Sequence, residues 1–331
     1  FKQKTAYEIK ECDWSSDVCS SDLIPRASTT VPVLLLQRAE SPISAAPVAR
    51  PLPMTAPRAA RPRAVFTEGS ILRHVLVMTS TGSIGLMAIF IVEFFSLLYV
   101  SWLGDRSLTA GVGFASQVMF FPVSINIGLS IGVSALVSRA IGRGDRAAAR
   151  QFAATGLVHT VFVSILVALL MWMFRAELLG LLGASGKAFD AAMILLNWQV
   201  PTLPILGLGM ALPGLLRSIG DARRSMYVTL FGAISVAILD PILILWLDLG
   251  LVGASLAINV SRCIWVVVGL WGAIHVHAML ARPTREHMIA DIAPMMRIAF
   301  PAILTNFAGP VAMAFVDRKS TRLNSSHIPL S

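Results

Sequence analysis

From residue 71 onward the chain is a succession of long apolar runs separated by short polar turns. A helix needs about 20 predominantly apolar residues to cross a bilayer. Seven stretches reach that length: 71–103, 108–141, 152–174, 188–216, 226–247, 249–275 and 295–316. The first two exceed it, which predicts tilt or a bend. The turns carry helix punctuation: between Ser138 and Arg150 glycines end one helix and Asp145 can cap the next. Ahead of that turn, residues 127–137 place Gly or Ser every three or four positions, a small-residue face suited to close helix packing. Pro201, Pro204 and Pro213 fall in the fourth run and predict a flexed or kinked helix.

Composition turns the pattern into a class. Hydrophobic residues make up 56% of the chain and charged residues 14%, where a soluble domain carries about 25% charged; mean hydropathy is +0.73. The expected fold class is an all-α polytopic membrane protein, its partner the lipid bilayer. The net charge of +9 raises nucleic acid as a partner, but the basic residues follow the spans. With the N-terminal side inside, the cytoplasmic face receives 14 arginines, among them Arg139, Arg143, Arg217, Arg223 and Arg297, and the opposite face only Arg106, Arg175 and Lys187. That asymmetry predicts a multi-pass protein of the cell (inner) membrane with a cytoplasmic N-terminus, and no nucleic-acid partner. Of three cysteines, Cys263 lies in a span and Cys12 and Cys19 near the start, so no disulfide or metal framework is expected. His74, His159, His275 and His277 are scattered without metal spacing or a nucleophile motif, and an enzyme is not expected.

The two ends read differently. Residues 13–23 and 317–327 back-translate into DNA segments that are reverse complements over nearly their whole length, in the form of sequencing-library adapters. Residues 1–23 and 317–331 are therefore expected to be translated adapter. The Pro-, Ala- and Ser-rich stretch within 24–70 reads as a disordered tail or untranslated upstream sequence, with Met54 as the expected start.

The candidate chemistry lies in deep acids. Asp240 and Pro241 sit in the middle of the fifth run. A carboxylate at bilayer depth costs roughly 2.5–3.5 kcal/mol, so its default reading is an ion or proton site. Glu93, within Phe90-Ile91-Val92-Glu93-Phe94-Phe95, is the second deep acid.

The ordered interhelical loops, Ser138 to Arg150, Arg217 to Arg224 and Leu249 to Ala257, together with Leu239-Asp240-Pro241, resemble the multidrug and toxic compound extrusion (MATE) family of cation-coupled antiporters. The resemblance runs from about residue 71 to 316. It implies two six-helix lobes around a central cavity, of which this chain carries one complete lobe (71–276), a cytoplasmic inter-lobe linker (277–294) and the first helix of a truncated second lobe (295–316). Such a fragment is expected to be inactive by itself, with its seventh span lying apart from the lobe. An internal repeat points to two lobes independently: an offset of 224 residues aligns Arg73 with Arg297, Thr81 with Thr305, Gly85 with Gly309, Ala88 with Ala312 and Val92 with Val316.

The resemblance also implies roles. Asp240 matches the family's fifth-helix acid, and Ile91-Val92-Glu93 resembles the context of its first-helix aspartate; an alternative register puts Ser96 there. Many members carry an asparagine four residues before the fifth-helix acid, where this chain has Val236, which cannot ligate a cation. That departure favours proton over sodium coupling, with no cofactor beyond the ion gradient. Asn126, Asn197, Asn259 and Gln199 are candidate substrate or cation ligands, or else interhelical polar packing. Arg262, inside the sixth span, either pairs with a lobe acid or snorkels to the cytoplasmic side. Phe94, Phe95, Tyr99, Trp102, Phe120 and Phe121 line a cavity for apolar cations or pack as lipid-facing belts. The implied function is secondary active, cation-coupled antiport exporting organic cations or drugs, as a monomer acting on a small-molecule substrate. The alternative is a lipid-linked sugar flippase of related architecture; such cavities tend to carry several cationic residues, whereas the deep charges here are mainly acidic.

Overall fold

The computed structural model describes residues 70–325, with side chains from 72 to 308. The expectations for 1–23, 24–69 and Met54, and for Cys12 and Cys19, lie outside the described residues. Eight α-helices are present among them: α1 (Ile71–Ser101), α2 (Arg106–Gly142), α3 (Arg146–Leu181), α4 (Gly186–Gln199), α5 (Leu203–Ser218), α6 (Ala222–Asp240), α7 (Gly250–Trp271) and α8 (Arg285–Ser325). Six helical stretches are long and apolar enough to cross a membrane, and α4 and α5, bent by 64° at the break between them, make a seventh when counted together as one broken span. The chain is an all-α polytopic membrane protein.

Local chemistry sets the helix ends. At the α2–α3 turn the Asp145 N–H bonds the Ala140 carbonyl (3.0 Å) and the Gly144 N–H that of Ile141 (2.8 Å), with Gly144 at φ +74. This left-handed glycine closure satisfies the last carbonyls of the helix. Asp145 then accepts from the Ala148 N–H at 2.9 Å and starts α3. The α5–α6 turn repeats the device, with Gly220 at φ +96 and Asp221 accepting from the Arg224 N–H at 3.0 Å.

Two spans end in wide turns. Pro241 has no N–H to continue α6, and residues Pro241–Trp246 form a π-helical turn, with Leu247 N–H bonded to the Ile242 carbonyl at 2.9 Å. Residues Gly272–Val276 form a second such turn after α7.

Small residues bring the helices together. A Cβ on Gly156 of α3 would lie 2.7 Å from Val133 of α2, and one on Gly269 of α7 would lie 2.7 Å from Leu212 of α5. The predicted small-residue face of α2 receives α8: a Cβ on Gly128 would collide with Ile303, and one on Gly132 would lie 3.1 Å from Ala299. Met295 and Ala299 of α8 are buried in the same core cluster as Leu129, Val133, Leu212 and Leu215. The seventh span therefore does not lie apart, because glycines on α2 let the two backbones approach. Helix α8 also continues to Ser325, past the boundary expected at residue 316.

Candidate functional site

Asp240 ends α6 where Pro241 interrupts the helix, and it is 1% exposed. Its Oδ2 accepts from the Ser96 hydroxyl of α1, and its Oδ1 has no partner among the described residues. No cationic side chain pairs with it among the described residues. Val236, one turn earlier, is also buried. Burying a carboxylate without a counter-ion is costly.

Glu93 does not join this site. It lies on the exposed side of α1, and it makes no hydrogen bond or ion pair among the described residues. Ser96, three residues further along and the residue of the alternative register, meets Asp240 instead.

Arg262, Asn259 and Gln199 meet at the break in the fourth span. The Val200–Pro201–Thr202 interruption leaves the Trp198 carbonyl at the end of α4 without a helical donor, while the Gln199 carbonyl accepts from the Thr202 N–H (3.3 Å) and lies 2.9 Å from the Thr202 hydroxyl. Asn259 Nδ2 donates to the Trp198 carbonyl (2.9 Å) and Arg262 to the Gln199 carbonyl (3.1 Å). Thr202 Oγ1 closes the cluster by donating to Asn259 Oδ1 at 2.8 Å. Arg262 is 6% exposed; it neither pairs with a lobe acid nor snorkels. Its charge sits at the carbonyl end of α4, where the helix dipole favours a cation. Asn259 and Gln199 thus serve the helix break.

Asn126 is buried and tied down. Its Nδ2 donates to the Pro122 carbonyl (2.9 Å) and its Oδ1 accepts from Ser164 of α3 (2.7 Å). Gly207 of α5 packs directly over this pair. Asn197 is exposed and makes no hydrogen bond among the described residues.

A cavity of about 250 Å³ opens between α1, α2, α5 and α6, with Gly85, Ser130, Pro213, Arg217, Thr229 and Trp265 on its walls. Arg217 is the one charged residue lining it, and neither Asp240 nor any of the six candidate aromatics does. Those on α1 form instead a chain of ring contacts, Phe94–Phe95–Tyr99–Trp102, with Phe94 and Trp102 exposed.

One polar cluster has no counterpart in the sequence reading. Gln151, Thr155 and His159 of α3 face Met288 and Asp291 of α8. The signal was there as a polar stripe at four-residue spacing inside an apolar run.

The MatE family model matches residues 83–242, a range that includes both Ser96 and Asp240. An FAD transporter of Shewanella oneidensis is 30% identical over 262 residues, 77% of this chain and 58% of the relative. The multidrug export protein MepA of Staphylococcus aureus is 23% identical over 261 residues, 76% of this chain and 57% of that protein. Among solved structures, the outward-facing conformation of a multidrug resistance MATE family transporter of the MOP superfamily superposes with a TM-score of 0.70 at 23% identity, over 76% of this chain and 56% of the other. The chain thus spans less than two thirds of the length of each of these relatives. The family match, the relatives and the shared fold identify it as a member of the MATE family of membrane transporters.

Proposed function

We propose that the chain carries the ion-coupling lobe of a secondary antiporter, with Asp240 as the coupling carboxylate and the proton as the coupling ion. The observation behind this reading is the surroundings of Asp240: buried, beside an interrupted helix, held by one hydroxyl, with its second oxygen unpartnered. A proton needs one carboxylate, whereas sodium needs several oxygen ligands, and the apolar Val236 supplies none. Protonation removes the buried charge, and the difference in stability between the two protonation states biases alternating access. The Arg-rich helix ends mark the cytoplasmic face, so substrate enters there and leaves opposite.

Organic cations or drugs are the substrate class that deep acids suggest, in keeping with the name of the staphylococcal relative. A second reading, an anionic nucleotide-like substrate, is favoured by Arg217 as the sole charge on the cavity wall and by the name of the Shewanella relative. The test is proteoliposomes holding the transporter expressed from its complete gene, with ethidium and FAD as alternative substrates. Substrate-driven proton flux should be present in the wild type and absent in Asp240→Asn at equal insertion. Equal transport by both proteins rules out Asp240, and flux that follows a sodium gradient alone rules out the proton.

A further inference from the structure

The inner ends of α3 and α8 meet through a contact that none of the transport residues above uses. Gln151, Thr155 and His159 lie four residues apart and share one face of α3. Gln151 Nε2 donates to Asp291 Oδ2 at 3.1 Å. Thr155 Oγ1 lies 2.8 Å from the same oxygen and 3.0 Å from the Gln151 carbonyl, so one proton is shared between two acceptors. His159 Nε2 lies 2.9 Å from the Met288 carbonyl, and its Nδ1 is buried without a partner. Asp291 is 5% exposed and His159 8%. Asp291 makes no ion pair among the described residues. The segment leading into α8 is clipped to the same end of the bundle: Arg146 donates to the His277 carbonyl at 2.9 Å, and the Ala281 N–H to that of Arg150 at 3.3 Å.

A permanent helix contact gains little from a buried carboxylate, since burying a charge without a counter-ion is costly. A contact that must open to water and close again is different. Hydration stabilises Asp291 when the helices part, and the α3 donors replace that hydration when they meet. Further along, the α2–α8 seam at Gly132 and Ala299 is apolar and close-packed, so the polar contact is confined to the Arg-rich end.

We propose that Asp291, with Gln151, Thr155 and His159, is a cytoplasmic gate: it holds α8 against α3 when closed, and the transport cycle requires it to part. These are positioning residues, and the proposal rests on alternating access with the Arg-rich end inside, as proposed above. The test uses the transporter expressed from its complete gene, with native cysteines replaced and Ala299→Cys as a reporter in the α2–α8 seam. Thr155→Val and Asp291→Asn should each raise the rate of labelling by a membrane-impermeant maleimide from the cytoplasmic face about tenfold, a shift of about 1.4 kcal/mol in the opening equilibrium. Unchanged labelling in both variants would overturn the gate. Should either variant fail to fold, a Gln151→Cys, Asp291→Cys pair joined by a short bismaleimide decides: the linked protein should be arrested and the unlinked pair active, and full transport by the linked protein overturns the proposal. Labelling needs neither substrate nor coupling ion, so it succeeds or fails separately from the assignment of Asp240.

Discussion

The Ser96 hydroxyl of α1 donates to the Asp240 carboxylate of α6, joining the first and fifth spans at the buried acid. Glu93, one turn away on the same helix, is exposed and has no part in the pair. The buried acid is thus one carboxylate with one hydroxyl partner among the described residues.

That pairing ranks three variants. Ser96→Ala leaves Asp240 without its donor and should lower proton-coupled transport several-fold, while Ser96→Thr, which keeps the hydroxyl, should retain most of it. Glu93→Gln should cost less than Ser96→Ala, with a loss that differs among substrates. Initial rates in proteoliposomes at matched protein content are the measurement; a larger loss for Glu93→Gln than for Ser96→Ala would reverse the order of the two residues.

Arg262 should matter for stability. Arg262→Met keeps the volume but removes one donor to the Gln199 carbonyl and one to Thr202 Oγ1, at a cost of about 1.5–3 kcal/mol for hydrogen bonds from a charged group. Arg262→Lys should recover only part of this, because an ammonium lacks the planar fork that reaches two acceptors. Thermal unfolding in detergent measures both, and a fully stable Arg262→Met protein would show that the α4–α5 break holds itself.

Asp221, in the α5–α6 turn, gives a pH dependence. Burial raises its pKa, but hydrogen bonds from Arg224 and His277 outweigh burial and hold it below the ordinary carboxylate value. Its ionised form is therefore the stabilising one: the contribution is complete above the unfolded-state value and is lost as pH falls through the lowered folded value. Asp221→Asn keeps the helix cap and loses the charge. The melting-temperature gap between wild type and this variant should be full at neutral pH and narrow below about pH 4. A gap independent of pH would mean that the charge contributes nothing.

The α2–α8 seam predicts a contrast between two glycines of one helix. Gly128→Val places its branches against Ile303 and should destabilise by about 1–3 kcal/mol through overpacking. Gly113→Ala meets nothing within 4 Å and should be neutral or slightly stabilising, since alanine favours helix. Melting temperatures of the two variants, read side by side, check this.

Membrane character, the apolar spans, the glycine–aspartate turns and the deep position of Asp240 beside Pro241 were all legible in the chain itself. Each depends on short-range chemistry: apolar length against bilayer thickness, a left-handed glycine, a capping carboxylate, a proline without an N–H. Partners were not legible, because three positions along a helix turn a side chain by about 60° and carry it about 4.5 Å along the axis, enough to change which residue meets a neighbour. Hence Ser96 and not Glu93 meets Asp240. Arg262 read either as half of an ion pair or as a snorkelling cation, yet its acceptors are the Gln199 carbonyl and the Thr202 hydroxyl, gathered where the fourth span bends by 64°. Asp291 read as part of a solvated linker until α8 packed on the glycines of α2 and carried it into contact with Thr155. Local rules determined which segments are helices and where they end; only the packed bundle decided which polar groups face one another, since that depends on helix rotation and approach across more than a hundred residues of chain.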